Sequence, residues 1–133
     1  MRHDKKEKID IVLKYLPSIF TSLAEKDTDS LCEIRLRADR PVALVFSGRT
    51  DYITKSGRLT GFYSSDLFSF SRTEIEEIFI RLCGYSVHSL TDNIADGFIT
   101  LDGGIRIGVY GTAVVRDGKI TSVRNVEGLN IRI

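Results

Sequence analysis

Eleven arginines lie beyond residue 30, at positions 35, 37, 40, 49, 58, 72, 81, 106, 116, 124 and 132. Lysines instead gather near the start, at Lys5, Lys6, Lys8, Lys14 and Lys26. A guanidinium is planar, always charged and forked. It therefore suits fixed, partly desolvated pairing with carboxylates or phosphates better than the mobile point charge of lysine. Such a distribution fits ordinary surface and strand-edge arginines as well as a dedicated binding face. Nineteen basic residues stand against 18 acidic ones, a net charge of +1. That balance argues against a protein whose main task is to grip a phosphate backbone.

Other chemistry is thinly represented. A P-loop needs G-x-x-x-x-G-K-[ST], so that backbone amides wrap phosphates while lysine and a hydroxyl handle charge and magnesium. The nearest approach is Gly111 to Gly118-Lys119, where six residues intervene and Ile120 stands in place of the hydroxyl. The glycine-rich run Gly103-Gly104 to Gly108 and Gly111 opens a strand rather than a helix, so it offers no helix N-terminus to a pyrophosphate. Its glycines are expected to serve a tight hairpin and close backbone approach. His88 has no Cys, Asp or Ser at motif spacing, and His3 lies in the charged N-terminal stretch. Asp92 and Asp96 are four apart but fit a solvated helix face. Cys32 and Cys83 sit in apolar runs and are read as reduced core residues of a cytosolic protein. No apolar run approaches membrane-spanning length, and no signal peptide is recognisable.

The elements that must position the arginines follow from periodicity. At 133 residues and 42% apolar, the chain is sized for one domain with a substantial core. Residues 1–8 are charged and aperiodic, and are expected to fray. Ile9, Val12, Leu13, Leu16, Phe20 and Leu23 step by three and four, which predicts a helix interrupted at Pro17. Leu31 to Arg37 alternates, with Cys32, Ile34 and Leu36 on one face and Glu33, Arg35 and Arg37 on the other. Val42 to Phe46 and Asp51 to Thr54 continue a meander through Gly48 and Gly57. Residues 58–70 carry four aromatics without a clean period. Thr73 with Glu76 has the form of a capping box before the stripe Ile75, Ile78, Phe79 and Leu82, and Gly84 ends that helix. A short helix is expected behind Ser86, with Val87, Leu90 and Ile94 buried and Gly97 as its stop. Phe98 to Leu101 precedes a hairpin at Asp102-Gly103-Gly104. On the next strand Ile105, Ile107, Val109, Ala113 and Val115 face one way, and Arg106, Tyr110, Thr112 and Arg116 the other. Asp117-Gly118 turns into Ile120 to Val126, and Gly128 to Ile133 is again extended. The sum is an α+β fold, one mostly antiparallel sheet of five or more strands covered by helices. Ending inside a strand pattern, the chain reads as cut short of a larger protein.

The block Gly84-Tyr85-Ser86-Val87-His88-Ser89-Leu90-Thr91-Asp92-Asn93-Ile94-Ala95-Asp96-Gly97 runs on to Gly104-Ile105-Arg106-Ile107-Gly108-Val109-Tyr110-Gly111. Together with Glu33-Ile34-Arg35-Leu36-Arg37 and Arg40-Pro41, it resembles the stage III sporulation protein AA family of endospore-forming bacteria, from about Tyr15 onward. That family is similar to the hexameric motors of type II secretion and type IV pili. The resemblance implies a PAS-like N-terminal sheet domain, residues 1–133, ahead of a RecA-like ATPase core that would hold ATP and magnesium. It implies no catalysis by this chain. Implied partners are its own ATPase core, other copies in a homo-oligomer such as a hexamer, and membrane proteins of the sporulation channel, at the cytoplasmic face of the mother-cell membrane. In related motors, N-terminal arginines lie near the nucleotide at the subunit boundary, which makes Arg35, Arg37 and Arg106 the candidates for a nucleotide or subunit interface.

An alternative from another class is a free-standing ligand- or nucleic-acid-binding module using the arginine-rich strand face. RNA readers stack bases on exposed sheet aromatics, for which Tyr110 and Tyr52 would serve. No run of alternating aromatic and basic residues accompanies them, so nucleic acid is not the expected partner.

Overall fold

The computed structural model describes residues 5–24, 28–84 and 98–133. Helix α1 spans Lys5–Leu13 and is followed by a 3-10 helix over Ser18–Ala24. The break falls where Pro17 requires it: proline cannot donate to the preceding turn, and its carbonyl instead accepts from the Phe20 amide at 3.1 Å. The helix begins at Lys5, within the stretch expected to fray. The helix expected behind Ser86, with His88, Asp92 and Asp96, lies outside the described residues.

Seven strands follow among the described residues: β1 Leu31–Arg37, β2 Ala43–Phe46, β3 Arg49–Ile53, β4 Leu59–Thr60, β5 Phe98–Leu101, β6 Ile105–Arg116 and β7 Lys119–Arg132. They form one sheet in the order β4-β3-β2-β1-β7-β6-β5, with every pair antiparallel. The chain is thus an α+β fold, two meanders joined where the last strand, β7, slots between the first, β1, and β6. Helix α2, Arg72–Leu82, links the two meanders.

Ser71 caps α2, accepting from the Glu74 amide at 3.1 Å while Glu74 accepts from the Ser71 amide at 3.0 Å. The capping box is therefore Ser71/Glu74 rather than Thr73/Glu76. Both pairs satisfy the four-residue template, but only a residue with extended backbone (Ser71, ψ 164°) can sit half outside the helix. Gly84, at φ +62°, closes the helix as expected.

Ile9, Val12, Phe20 and Leu23 from the helical start, and Ile75, Ile78, Phe79 and Leu82 from α2, join Ile34, Leu36, Leu44, Ile107, Leu129 and Ile131 of the sheet in one apolar core. The helices thereby cover one face of the sheet. Residues 67–70, illegible by period, pair through isolated bridges and bring Phe68 and Phe70 against Phe20, with Phe20 and Phe70 stacked at 5.8 Å.

Two sequence expectations fail for physical reasons. Cys32 is exposed, because β1 carries a bulge: Leu31 opposes Phe46 but Glu33 opposes Val45, so one extra residue resets the alternation. Leu31, Ile34 and Leu36 are the buried set instead. Ala113 and Val115 are exposed too, Val115 by 58%. Beyond Gly108 and Glu127, β6 and β7 form ladder pairs only with each other among the described residues, so that part of the hairpin runs past the sheet that would bury it. Cys83 is buried as expected, and burial pushes its thiol up to about 11.

Candidate functional site: an arginine-bearing sheet face

In an antiparallel ladder, residues directly opposite share a face and residues two apart along a strand return to it. The register of β5, β6, β7 and β1 therefore places the side chains along these strands. One row runs Thr100, Arg106, Arg132, Glu33; the next runs Phe98, Gly108, Asn130, Arg35; a third runs Tyr110, Gly128, Arg37. The intervening rows, Ile99-Ile107-Ile131-Ile34 and Val109-Leu129-Leu36, turn into the core. Arg35, Arg37 and Arg106, scattered over 72 positions of sequence, thus stand on one face, opposite the helices.

Each is held differently. Arg35 donates Nε to Glu33 Oε2 at 3.0 Å across the strand surface. The guanidinium of Arg37 lies flat along the face, 4.5 Å above the Tyr110 ring. Its Nη1 donates to Asn130 Oδ1 at 2.8 Å and to the Leu36 carbonyl at 3.2 Å. Gly128 makes that pose possible, since a Cβ there would stand 3.1 Å from Arg37 Cδ and 2.9 Å from the Leu36 oxygen. Arg106 rests over Phe98 at 4.9 Å. Stacking on a ring restricts a guanidinium while leaving its edge free to pair.

Sequence reasoning missed two members. Arg132 is the direct cross-strand neighbour of both Arg106 and Glu33. Asn130, only 7% exposed, links the cluster by accepting from Arg37 and donating Nδ2 to Tyr110 Oη at 3.2 Å. The alternation Leu129-Asn130-Ile131-Arg132 marks them as sharing a face. That β7 is central, and so carries them between Arg35 and Arg106, is a long-range fact with no local signal. Among the described residues, no carboxylate pairs with Arg37, Arg106 or Arg132.

A hollow of about 240 Å³ opens among Phe98, Arg106, Gly108, Tyr110, Asn130 and Arg132, and a second of about 420 Å³ between Arg35, Glu33 and Arg132. Both share Asn130 and Arg132, so they form one shallow track. The arrangement can bind an anionic group. Among the described residues it holds no nucleophile-base pair, and no group of three His, Cys, Asp or Glu residues is placed to hold a metal ion. Lys119 and Gly118, of the rejected P-loop, sit at the β6–β7 turn. No helix among the described residues is long and apolar enough to cross a membrane.

The family described as "Sporulation stage III, protein AA" matches residues 3–133. Stage III sporulation protein AA of Bacillus subtilis (strain 168) is 24% identical over 124 residues, covering 93% of this chain. The chain spans 36% of that relative's length. No solved structure matches. Since the family match takes in every strand that carries the arginine face, the chain belongs to the sporulation stage III, protein AA family.

Proposed function

We propose that this chain is a non-catalytic assembly and coupling domain of a sporulation ATPase. The observation that carries the reading is an exposed sheet face bearing Arg35, Arg37, Arg106 and Arg132. Glu33, already engaged by Arg35, is the one carboxylate in the three rows among the described residues, and Asp39 and Glu127 border the Arg37 end. A face with that surplus is suited to dock an anionic surface. In this reading it packs on its own and neighbouring ATPase cores in a homo-oligomer. The longer protein supplies the ATP and magnesium site and passes motion to membrane proteins of the sporulation channel. The place of work is then the cytoplasmic face of the mother-cell membrane. The share of its relative that the chain spans is in keeping with such a division of labour.

The test is the ATPase rate and oligomer mass of the full-length protein carrying this segment, with Arg35→Ala, Arg37→Ala and Arg106→Ala made singly. Loss of rate together with loss of oligomer, with each variant still folded and its stability lowered by no more than about 1 kcal/mol, is the expected result. Three unaffected rates would sink the reading.

A nucleic-acid platform is less well supported. Of the two expected stacking residues, Tyr110 has the Arg37 guanidinium over one face of its ring. Tyr52, on β3 opposite Ala43, meets Tyr63 edge-on at 5.6 Å, with no arginine stacked on it among the described residues. Phe98, also on the arginine face, lies under Arg106.

A further inference from the structure

We propose that the track between β6, β7 and β1 receives an acidic polypeptide segment, with Arg106 and Arg132 as the anchors for its carboxylates. The inference rests on the docking reading above and names the chemistry of the docked surface.

Arg106 and Arg132 stand directly opposite each other on neighbouring strands. Like charges so placed repel. Neither is relieved by an ion pair among the described residues. An incoming carboxylate between them removes the repulsion and accepts from two forks at once. The face already contains the template for this contact in the Glu33–Arg35 pair, one row along.

The hollow at the anchors is a consequence of Gly108. A Cβ at that position would meet Asn130 Cβ at 3.7 Å, an ordinary contact, so packing does not demand glycine there. What the missing side chain provides is space over the Asn130 amide, between Phe98 and Tyr110. The partners of Asn130 and the ring beneath Arg106 fix the walls before anything binds, which lowers the ordering cost of association.

One feature favours a carboxylate chain over a nucleic-acid chain. The two rings that border the hollow, Tyr110 and Phe98, each already have an arginine over one face, which leaves a nucleotide less stacking surface there. The two hollows are open to solvent and adjoin at Asn130 and Arg132, which suits an extended segment rather than an enclosed small molecule.

Fluorescence anisotropy with a labelled oligo-glutamate peptide tests the proposal, with oligothymidylate of matched charge as competitor class and the whole chain as receptor. The peptide is expected to bind more tightly than the oligonucleotide, with affinity falling as salt rises. Arg106→Ala and Arg132→Ala should each weaken binding about tenfold, in line with the loss of one charged hydrogen-bonding group. Arg132→Lys, which keeps charge but loses the fork, should fall between, and Gly108→Leu should block the track. Arg58→Ala, in the exposed turn before β4, is the control and should bind as the unaltered chain does. Absence of peptide binding, equal or tighter binding of oligothymidylate, or equal losses in the Arg58 control each overturn the proposal. None of these outcomes bears on the oligomer and ATPase readout, so the docking reading stands or falls separately.

Discussion

The two faces of β1, β7 and β6 are built from the same strands and obey opposite rules. Along β1, Leu36 is fully buried while its neighbours Arg35 and Arg37 point away from the core. On the inner face, Ile34, Ile107 and Ile131 interlock with helices, and any change of volume is transmitted to tightly packed neighbours. On the outer face, guanidiniums lie on rings and on one another's partners, with solvent at their edges. The difference teaches that stability and recognition are separated here by one residue step. A mutation's consequence should therefore alternate in kind along a strand.

The largest test of that separation is Leu36→Ala. Removing a fully buried leucine forfeits its transfer free energy and leaves a cavity, about 2–5 kcal/mol in comparable cores. Chemical denaturation should show a fall in that range. A loss no greater than that of the neighbouring arginines would mean the face assignment of β1 is wrong.

Much of the inner face was legible in sequence and little of the outer one. The stripe Ile75, Ile78, Phe79, Leu82 and the strand Leu31–Arg37 follow from periodicity alone, because burial of one face enforces a repeat. The bulge at Cys32 was not legible, since one inserted residue leaves composition unchanged while reversing every side chain before it. Likewise, Val115 alternates as a core residue should, yet lies where the hairpin outruns its neighbours. For the candidate site, Arg35 and Arg37 are two apart on a single strand and so share a face by local rule. Joining them to Arg106 needs β7 in the middle of the sheet, and Asn130 is recognisable as the link only once that placement is known. Long-range pairing order is what the local pattern does not encode.

Two glycines on the outer face sharpen the comparison with a smaller effect. At Gly128 an added Cβ would stand 2.9 Å from the backbone oxygen of Leu36 and 3.2 Å from Arg37 Nη1, so strand or arginine must move. Gly128→Ala should cost about 1–3 kcal/mol by overpacking and should release Arg37 from Tyr110. At Gly108 the nearest atom is 3.7 Å away, and Gly108→Ala should leave stability within about 0.5 kcal/mol of the parent. Thermal melts of the two variants side by side check this. Equal losses would show that the outer face is packed as tightly as the inner one.

The smallest effect belongs to Arg35→Ala. Its ion pair with Glu33 is a single Nε contact at 3.0 Å, and the arginine side chain is 49% exposed. Water and salt screen such a pair, and ordering two long side chains offsets much of what attraction remains, so exposed pairs contribute about 0–1 kcal/mol. The variant also leaves Glu33, only 13% exposed, without its partner, which places the expected loss toward the upper half of that range rather than at zero. Restoring balance by Glu33→Gln in the same chain should recover most of it, because the amide needs no cation. A double-mutant cycle by denaturant titration measures the coupling directly. Coupling well above 1 kcal/mol would make Arg35 a structural residue of the strand, and the outer face would then lose its standing as a surface free to bind.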